Sequence, residues 1–447
     1  MKHPNNQWSS KLGFILASAG AAVGLGAIWK FPYVTGMNGG GAFFLLFVLF
    51  TVLIGLPMLI SEFIIGRGAS LEAVSAYKKL APNTAWVWIG RLGVIGCFLL
   101  LSFYSVVGGW VFIYSIRALF GGIIATGMDF SMLFGSIIGT PWITIVGLFL
   151  FTLINIIVVS FGVSAGIERA NKYMMPLLFI FLIILVVRSI TLEGAMEGIA
   201  FFLTPDFSGL NKEAILYALG QSFFSLAVGF SCMVTYSSYL KKDVRLPSSA
   251  ATVVSMNLLV SLLAGLAIFP VVFAFGLEPT EGPGLLFIVL PAVFSQLPFG
   301  ELFLVLFLWL FLFATLTSSF SLYEIIVAAF TANKKRTRKK VTWLLGAIVF
   351  IAALPSALSS SLLHEVSIVG FTIFDATDFL VSNILLPFGS LLIAIFIIHR
   401  MDRVLVESEF HLGSAPSKGL YQAWRFLMTW IVPLTILVVF FHTIGLL

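Results

Sequence analysis

Charge is scarce in this chain: Asp, Glu, Lys and Arg make up 10% of its 447 residues, against about 25% in an ordinary soluble domain. Polar stretches are equally short. The longest are loops such as KKLAPNTAW, EPTEGPG and HRMDRVLVESEFHLGSAPSKG, which leaves no room for a soluble domain. Cysteine is limited to Cys97 and Cys232, both inside apolar runs where a thiol acts as a small apolar side chain, so no disulfide framework is implied. The five histidines are scattered singly without metal-ligand spacing, and no nucleophile is paired with a base. Nothing here points to an enzyme.

What remains is hydrophobic: 60% of the residues. A bilayer-spanning helix needs about 20 largely apolar residues. Eleven segments meet that need, near 12–35, 41–66, 87–121, 139–161, 165–190, 213–240, 246–276, 300–331, 341–359, 368–399 and 420–445. The expected fold is an all-α polytopic membrane protein, one domain over 1–447. The first segment is too long for a cleavable signal and lacks a small-residue cleavage pattern. With a cytoplasmic N-terminus, only Lys30, Arg117, Arg188 and Lys212 of the 25 basic residues fall outside. Positive-inside bias therefore sets the N-terminus inside and the C-terminus outside. The same bias accounts for the run NKKRTRKK at 333–340 and the net charge of +6 as lipid-facing topology, not nucleic-acid binding.

The stretch ASAGAAVGLGAIWKFPY, residues 17–33, breaks the apolar pattern with Gly20, Gly24 and Gly26 followed by a lysine and a proline. Glycine and proline weaken a helix. AAVGLG at 21–26 has a counterpart in LAVGFS at 226–231, each in the first helix of a five-helix half. Paired interruptions of this kind mark the midplane binding site of inverted-repeat transporters, although Gly20 and Gly24 also form a small-xxx-small pair suited to plain helix packing. A broken helix frees amides that can hold an anion and carbonyls that can hold a cation where lipid offers no partners.

These residues carry a resemblance. AVGLGAIWKFPY, with NGGGAF at 38–43, GLP before Glu62, GQSFFSLAVGF at 220–230 and TLTSS at 315–319, resembles the neurotransmitter:sodium symporter family, and in particular bacterial amino-acid transporters of the leucine transporter fold. The resemblance implies a 5+5 inverted repeat, about 12–190 and 213–399, with broken helices 1 and 6 and an extra helix at about 420–445. It implies a sodium site from the carbonyls of Gly20, Val23 and Ala314 and the hydroxyls of Thr317 and Ser318. A second sodium would use Ala22, Ser225, Asn257 and the substrate carboxylate. Here the chain departs from the pattern, because Ala27 stands where the family has an asparagine.

By the same resemblance the substrate carboxylate meets Leu25, Gly26 and Tyr104. The ammonium group meets carbonyls of the broken helices, with Phe224 and Ala227 nearby. Family carriers of biogenic amines have an aspartate at the position of Gly24, so glycine implies a substrate with its own carboxylate. Leu100, Val23, Phe224, Ala227, Phe230, Ser318 and Leu322 form an apolar side-chain pocket, which implies neutral hydrophobic L-amino acids. Lys30 and Asp378 match the outer gating pair, which closes together with Tyr104 and Phe230. Glu62 matches an acid that braces unwound backbone, whereas Glu324 has no assigned role. Trp8 and Tyr236 match the inner gate, although Asn5 and Ala332 replace the arginine and aspartate expected there. Gly166, ten residues before Pro176, matches the spacing that lets helix 5 unwind.

Chloride dependence stays open: Gln221, Ser225, Asn257 and Ser261 match, but Phe47 replaces a tyrosine. The expected activity is sodium-coupled amino-acid uptake by alternating access in a bacterial-type cell membrane, with the lipid bilayer and a small amino acid as partners. No obligate protein partner is marked. A proton-coupled or exchanging carrier of the same fold and a non-transporting amino-acid sensor stay open as alternatives. Restoring the side-chain oxygen with Ala27→Asn is expected to tighten sodium activation of uptake, read as a lower half-saturating sodium concentration; unchanged activation would count against a second site.

Overall fold

The computed structural model describes residues 7–124, 129–208, 210–277, 282–332, 337–413 and 418–443. Among them, nine helices are long and apolar enough to cross a bilayer: Gly41–Ala69, Val87–Leu119, Pro141–Ser160, Val163–Ile190, Leu246–Ala274, Gly300–Thr331, Arg338–Leu358, Ile373–His399 and Lys418–His442. A further crossing is the pair Lys11–Ala22 and Gly26–Met37, bent by 50° at its break. Lys212–Phe224 and Cys232–Ser237 form the last, interrupted over 225–231. In chain order these are spans one to eleven, and the two broken ones are the first and the sixth.

The tenth span starts later than its hydropathy suggests. Ser367–Ile368 and Phe371–Thr372 pair as a two-stranded hairpin, and its central residues Val369 and Gly370 both have positive φ. That is the backbone a tight hairpin turn demands, and hydropathy alone is blind to it.

Proline explains most of the irregular helix. Four of the five π-helical segments, Gly26–Lys30, Thr51–Gly55, Leu380–Leu385 and Leu427–Ile431, are followed two residues later by Pro32, Pro57, Pro387 and Pro433. A proline ring has no N–H to donate and crowds the carbonyl four residues back, so the preceding turn widens. The fifth segment, Val163–Glu168, follows Gly162 at φ 92° instead.

Spans three and eight form the centre: 72% and 67% of their most apolar windows are buried, against 33% and 28% for spans five and eleven. Small residues let the inner helices approach. A Cβ on Gly109 of span three would lie 2.6 Å from the Leu148 backbone nitrogen, and one on Gly147 of span four 2.7 Å from the Gly109 carbonyl oxygen. Close backbone approach through small residues is how membrane helices gain packing energy. Gly109→Leu must therefore force the backbones of spans three and four apart. We expect it to destabilise the protein by about 1 to 3 kcal/mol, read as a lower melting temperature and a smaller monodisperse fraction in detergent.

Candidate functional site

At the first break, the Gly24 amide donates to the Ala22 carbonyl at 3.0 Å and not to Gly20, four residues back. The Gly20 carbonyl thereby loses its helical donor. Ala21 offers its carbonyl to the Ser318 hydroxyl of span eight at 3.0 Å. At the second break, Ala227, Gly229 and Ser231 all have positive φ, a strained conformation for the two that are not glycine. One carboxylate holds that backbone. Glu62, fully buried in span two, accepts from the amides of Gly229 at 2.7 Å, Met233 at 3.1 Å and Val234 at 3.3 Å. The Tyr77 hydroxyl adds a 3.0 Å contact with that of Ser231.

The two breaks face each other across spans three and eight. A Cβ on Gly26 would lie 3.0 Å from the Phe224 ring and 3.2 Å from the Ser225 Cα. Gln221 donates to the Gly26 carbonyl at 2.6 Å. A Cβ on Gly24 would lie 2.6 Å from the Ser318 Oγ and 2.9 Å from the Tyr104 hydroxyl oxygen. Tyr104 in turn donates its hydroxyl to the Thr315 carbonyl of span eight at 3.3 Å. Leu100, Tyr104, Phe230, Ser318 and Leu322 are buried, as are Ala22, Val23 and Leu25, while Phe224 and Ala227 are partly so. Phe230 packs on Gly96 of span three. The candidate substrate residues thus form one enclosed cluster around the two breaks.

The candidate ion ligands have neutral oxygens. Gly20 lies against span eight, where a Cβ added to it would be 3.0 Å from the Thr317 Cβ. The Thr317 hydroxyl bonds back to Ala314 at 3.1 Å. Asn257 donates to the Ser225 hydroxyl at 3.2 Å, leaving its own Oδ1 buried without a hydrogen-bond partner, like the Ser261 Oγ. Buried polar oxygens are normally satisfied. Neutral, unpartnered oxygens are the donor type that suits a hard cation. Ala27 is fully buried and has no side-chain oxygen to offer.

The two ends of the bundle differ. On the N-terminal side Trp8 is buried, donates to the Tyr236 carbonyl at 2.8 Å and packs edge-on against its ring. Ser9 donates through its amide at 2.7 Å and its hydroxyl at 2.5 Å, and Ser10 at 3.2 Å, to the Glu168 carboxylate. Lys172 pairs with that same carboxylate at 2.9 Å. Ala332 contributes nothing ionic, and Asn5 lies outside the described residues. At the opposite end Lys30 and Asp378 are not paired: the Lys30 ammonium lies 4.8 Å from the Phe224 ring centroid, and Asp378 accepts from Ser382 at 2.6 Å. Beside Lys30 opens a cavity of about 360 Å³ lined by residues including Gln221, Phe224, Asn383 and His442. Gly166 sits in the π segment of span five, where a Cβ would meet the Val158 carbonyl at 2.0 Å, and Pro176 lies within the following helix.

Sequence reasoning missed a charged cluster on the N-terminal side. Arg338 forms an ion pair with Glu324, which also accepts from the Tyr239 hydroxyl at 2.8 Å. Glu324 is fully buried. It lies seven residues, two helical turns, beyond Thr317 on span eight and so shares a face with the candidate ion ligands. A buried acid demands a partner; here the partner came from the basic run 333–340, which topology had already explained.

The sequence matches the model of the Sodium:neurotransmitter symporter family over residues 5–123 and 136–446. It is 52% identical to YhdH of Bacillus subtilis (strain 168), described as an uncharacterized sodium-dependent transporter, over 99% of this chain and 98% of that protein. It is 28% identical to a sodium-dependent serotonin transporter of Drosophila melanogaster, over 98% of this chain and 76% of that one. Among solved structures, the crystal structure of MhsT in complex with L-phenylalanine matches with a TM-score of 0.91 and 41% identity, covering 98% of this chain and 99% of that one.

Removing one member of a buried ion pair strands the other charge, at a cost of about 3 to 5 kcal/mol. Arg338→Leu is expected to lower thermal stability on that scale, and Arg338→Leu with Glu324→Leu to recover most of the loss; equal melting temperatures for wild type and Arg338→Leu would deny the pair a structural role.

Proposed function

The chain belongs to the sodium:neurotransmitter symporter family, and from that premise we propose that it takes up neutral hydrophobic L-amino acids, driven by sodium, through alternating access. The observation that carries the substrate class is the crowding at Gly24. Ser318 and Tyr104 stand so close that no carboxylate fits on that residue, so the substrate supplies its own. The amides near Leu25 and Gly26, with the Tyr104 hydroxyl, receive it, and carbonyls of the two breaks receive the ammonium group. Burying an unpaired polar group costs about 1 to 3 kcal/mol, so a pocket of Leu100, Val23, Phe224, Ala227, Phe230 and Leu322 favours an apolar side chain. The amino acid held by MhsT, L-phenylalanine, is of this kind.

Sodium takes the position between Gly20, Val23, Ala314, Thr317 and Ser318. A second ion at Ala22, Ser225 and Asn257 has one oxygen fewer because of Ala27. The halves that rock against each other are 12–190 and 213–399, with 420–445 as the extra helix. The N-terminus faces the cytoplasm, so Trp8, Tyr236 and Glu168 close the inner side. Lys30 and Asp378 close over the outer cavity once substrate is bound, and unwinding around Gly166 and Pro176 opens the exit. Sodium and substrate drive these steps only through different affinities for the two states. A sodium-independent exchanger is the second reading, favoured by Ala27.

In proteoliposomes, leucine, phenylalanine and tryptophan should accumulate under an inward sodium gradient and not when choline replaces sodium. Glycine or glutamate outcompeting them would refute the substrate class, and sodium-independent accumulation would favour the exchanger.

A further inference from the structure

We propose that Asn171 on span five contributes an additional oxygen to the ion at the Gly20 and Thr317 position, and that unwinding of residues 163–168 withdraws it. Asn171 is fully buried. Its Nδ2 donates to the Ile167 carbonyl at 2.9 Å, which fixes the amide so that the oxygen faces away from its own helix. That Oδ1 has no hydrogen-bond partner. It lies 2.2 Å from where a Cβ on Gly20 would stand, a point 3.0 Å from the Thr317 Cβ and 3.3 Å from the Met175 sulfur. An orphaned amide oxygen is costly in a membrane interior, and this one is aimed at the residue whose carbonyl the first break has freed.

The anchor gives the oxygen a second property. Ile167 belongs to the π segment Val163–Glu168, between Gly162 at φ 92° and the start of regular helix at Arg169. Its carbonyl keeps its position only while that segment stays coiled. Unwinding removes the acceptor of the Asn171 Nδ2, the side chain swings free, and the ion loses a ligand as its exit opens. Release of the ion is thereby tied to the conformation of span five by a single side chain.

This inference rests on the sodium reading above, and its test separates the two. The full-length protein in detergent is titrated with sodium at constant ionic strength, with choline as replacement, and thermal stabilisation is recorded for the wild type, Asn171→Ala, Asn171→Asp and Thr317→Ala. Asn171→Ala should raise the half-maximal sodium concentration about tenfold and leave the melting temperature in choline near that of the wild type. Asn171→Asp, which puts a carboxylate on the ion, should lower it. A midpoint unchanged in Asn171→Ala, while the wild type responds to sodium and Thr317→Ala does not, overturns the role of Asn171 and leaves the sodium site standing. If Asn171→Ala does not fold, an unchanged midpoint in Asn171→Asp has the same force. A wild type stabilised by phenylalanine but indifferent to sodium removes the sodium reading, and this inference with it.

Discussion

Everything at the centre of this molecule depends on one carboxylate. In lipid a backbone amide without a partner costs several kcal/mol, so a helix can stop halfway across a bilayer only if something takes up the groups it exposes. Glu62 takes up three of them at the second break. With that backbone held in place, Ala227 and Ser231 can occupy left-handed conformations and Phe230 can turn toward Gly96. The first break has no such brace. It leans on the Ser318 hydroxyl and the Gln221 side-chain amide.

The ends of the bundle follow different physical strategies. The N-terminal side is held by contacts of mixed type: a buried indole under a tyrosine, and, part-buried, two serines on a carboxylate and an arginine, a glutamate and a tyrosine in contact. These depend on the helices keeping their mutual positions. At the other end the ammonium group rests on an aromatic face and the acid on a serine, so the two charges are not paired with each other. Where an arginine and an aspartate are expected on the N-terminal side the chain has Asn5 and Ala332, and the anions on that side are Glu168 and Glu324, from spans five and eight.

Much of this was legible in the sequence because the bilayer enforces simple rules. Eleven apolar runs gave eleven crossings, and the glycine clusters near Gly24 and Gly229 marked both breaks. The candidate site also came together around them, because its residues lie on the two breaks and on the helices that face them. What stayed hidden depends on contacts between distant segments. Glu324 was visible as a buried acid, yet Arg338 was not visible as its partner. The hairpin at 367–372 hid inside an apolar run, because hydropathy averages over backbone conformation. Asn171 carried no signal at all, since one polar residue near a helix end is ordinary until its neighbours are known.

The neutral donor set has a consequence in electrical terms. Carbonyls, hydroxyls and amides line both candidate ion positions, so these positions carry no charge of their own and a zwitterionic amino acid adds none. For a carrier working as proposed, the loaded form moves the charge of its ions through the field, and the empty form returns without it. Each elementary charge is worth about 2.3 kcal/mol per 100 mV. Membrane potential then acts on the inward, loaded half of the cycle and leaves the return to thermal motion alone.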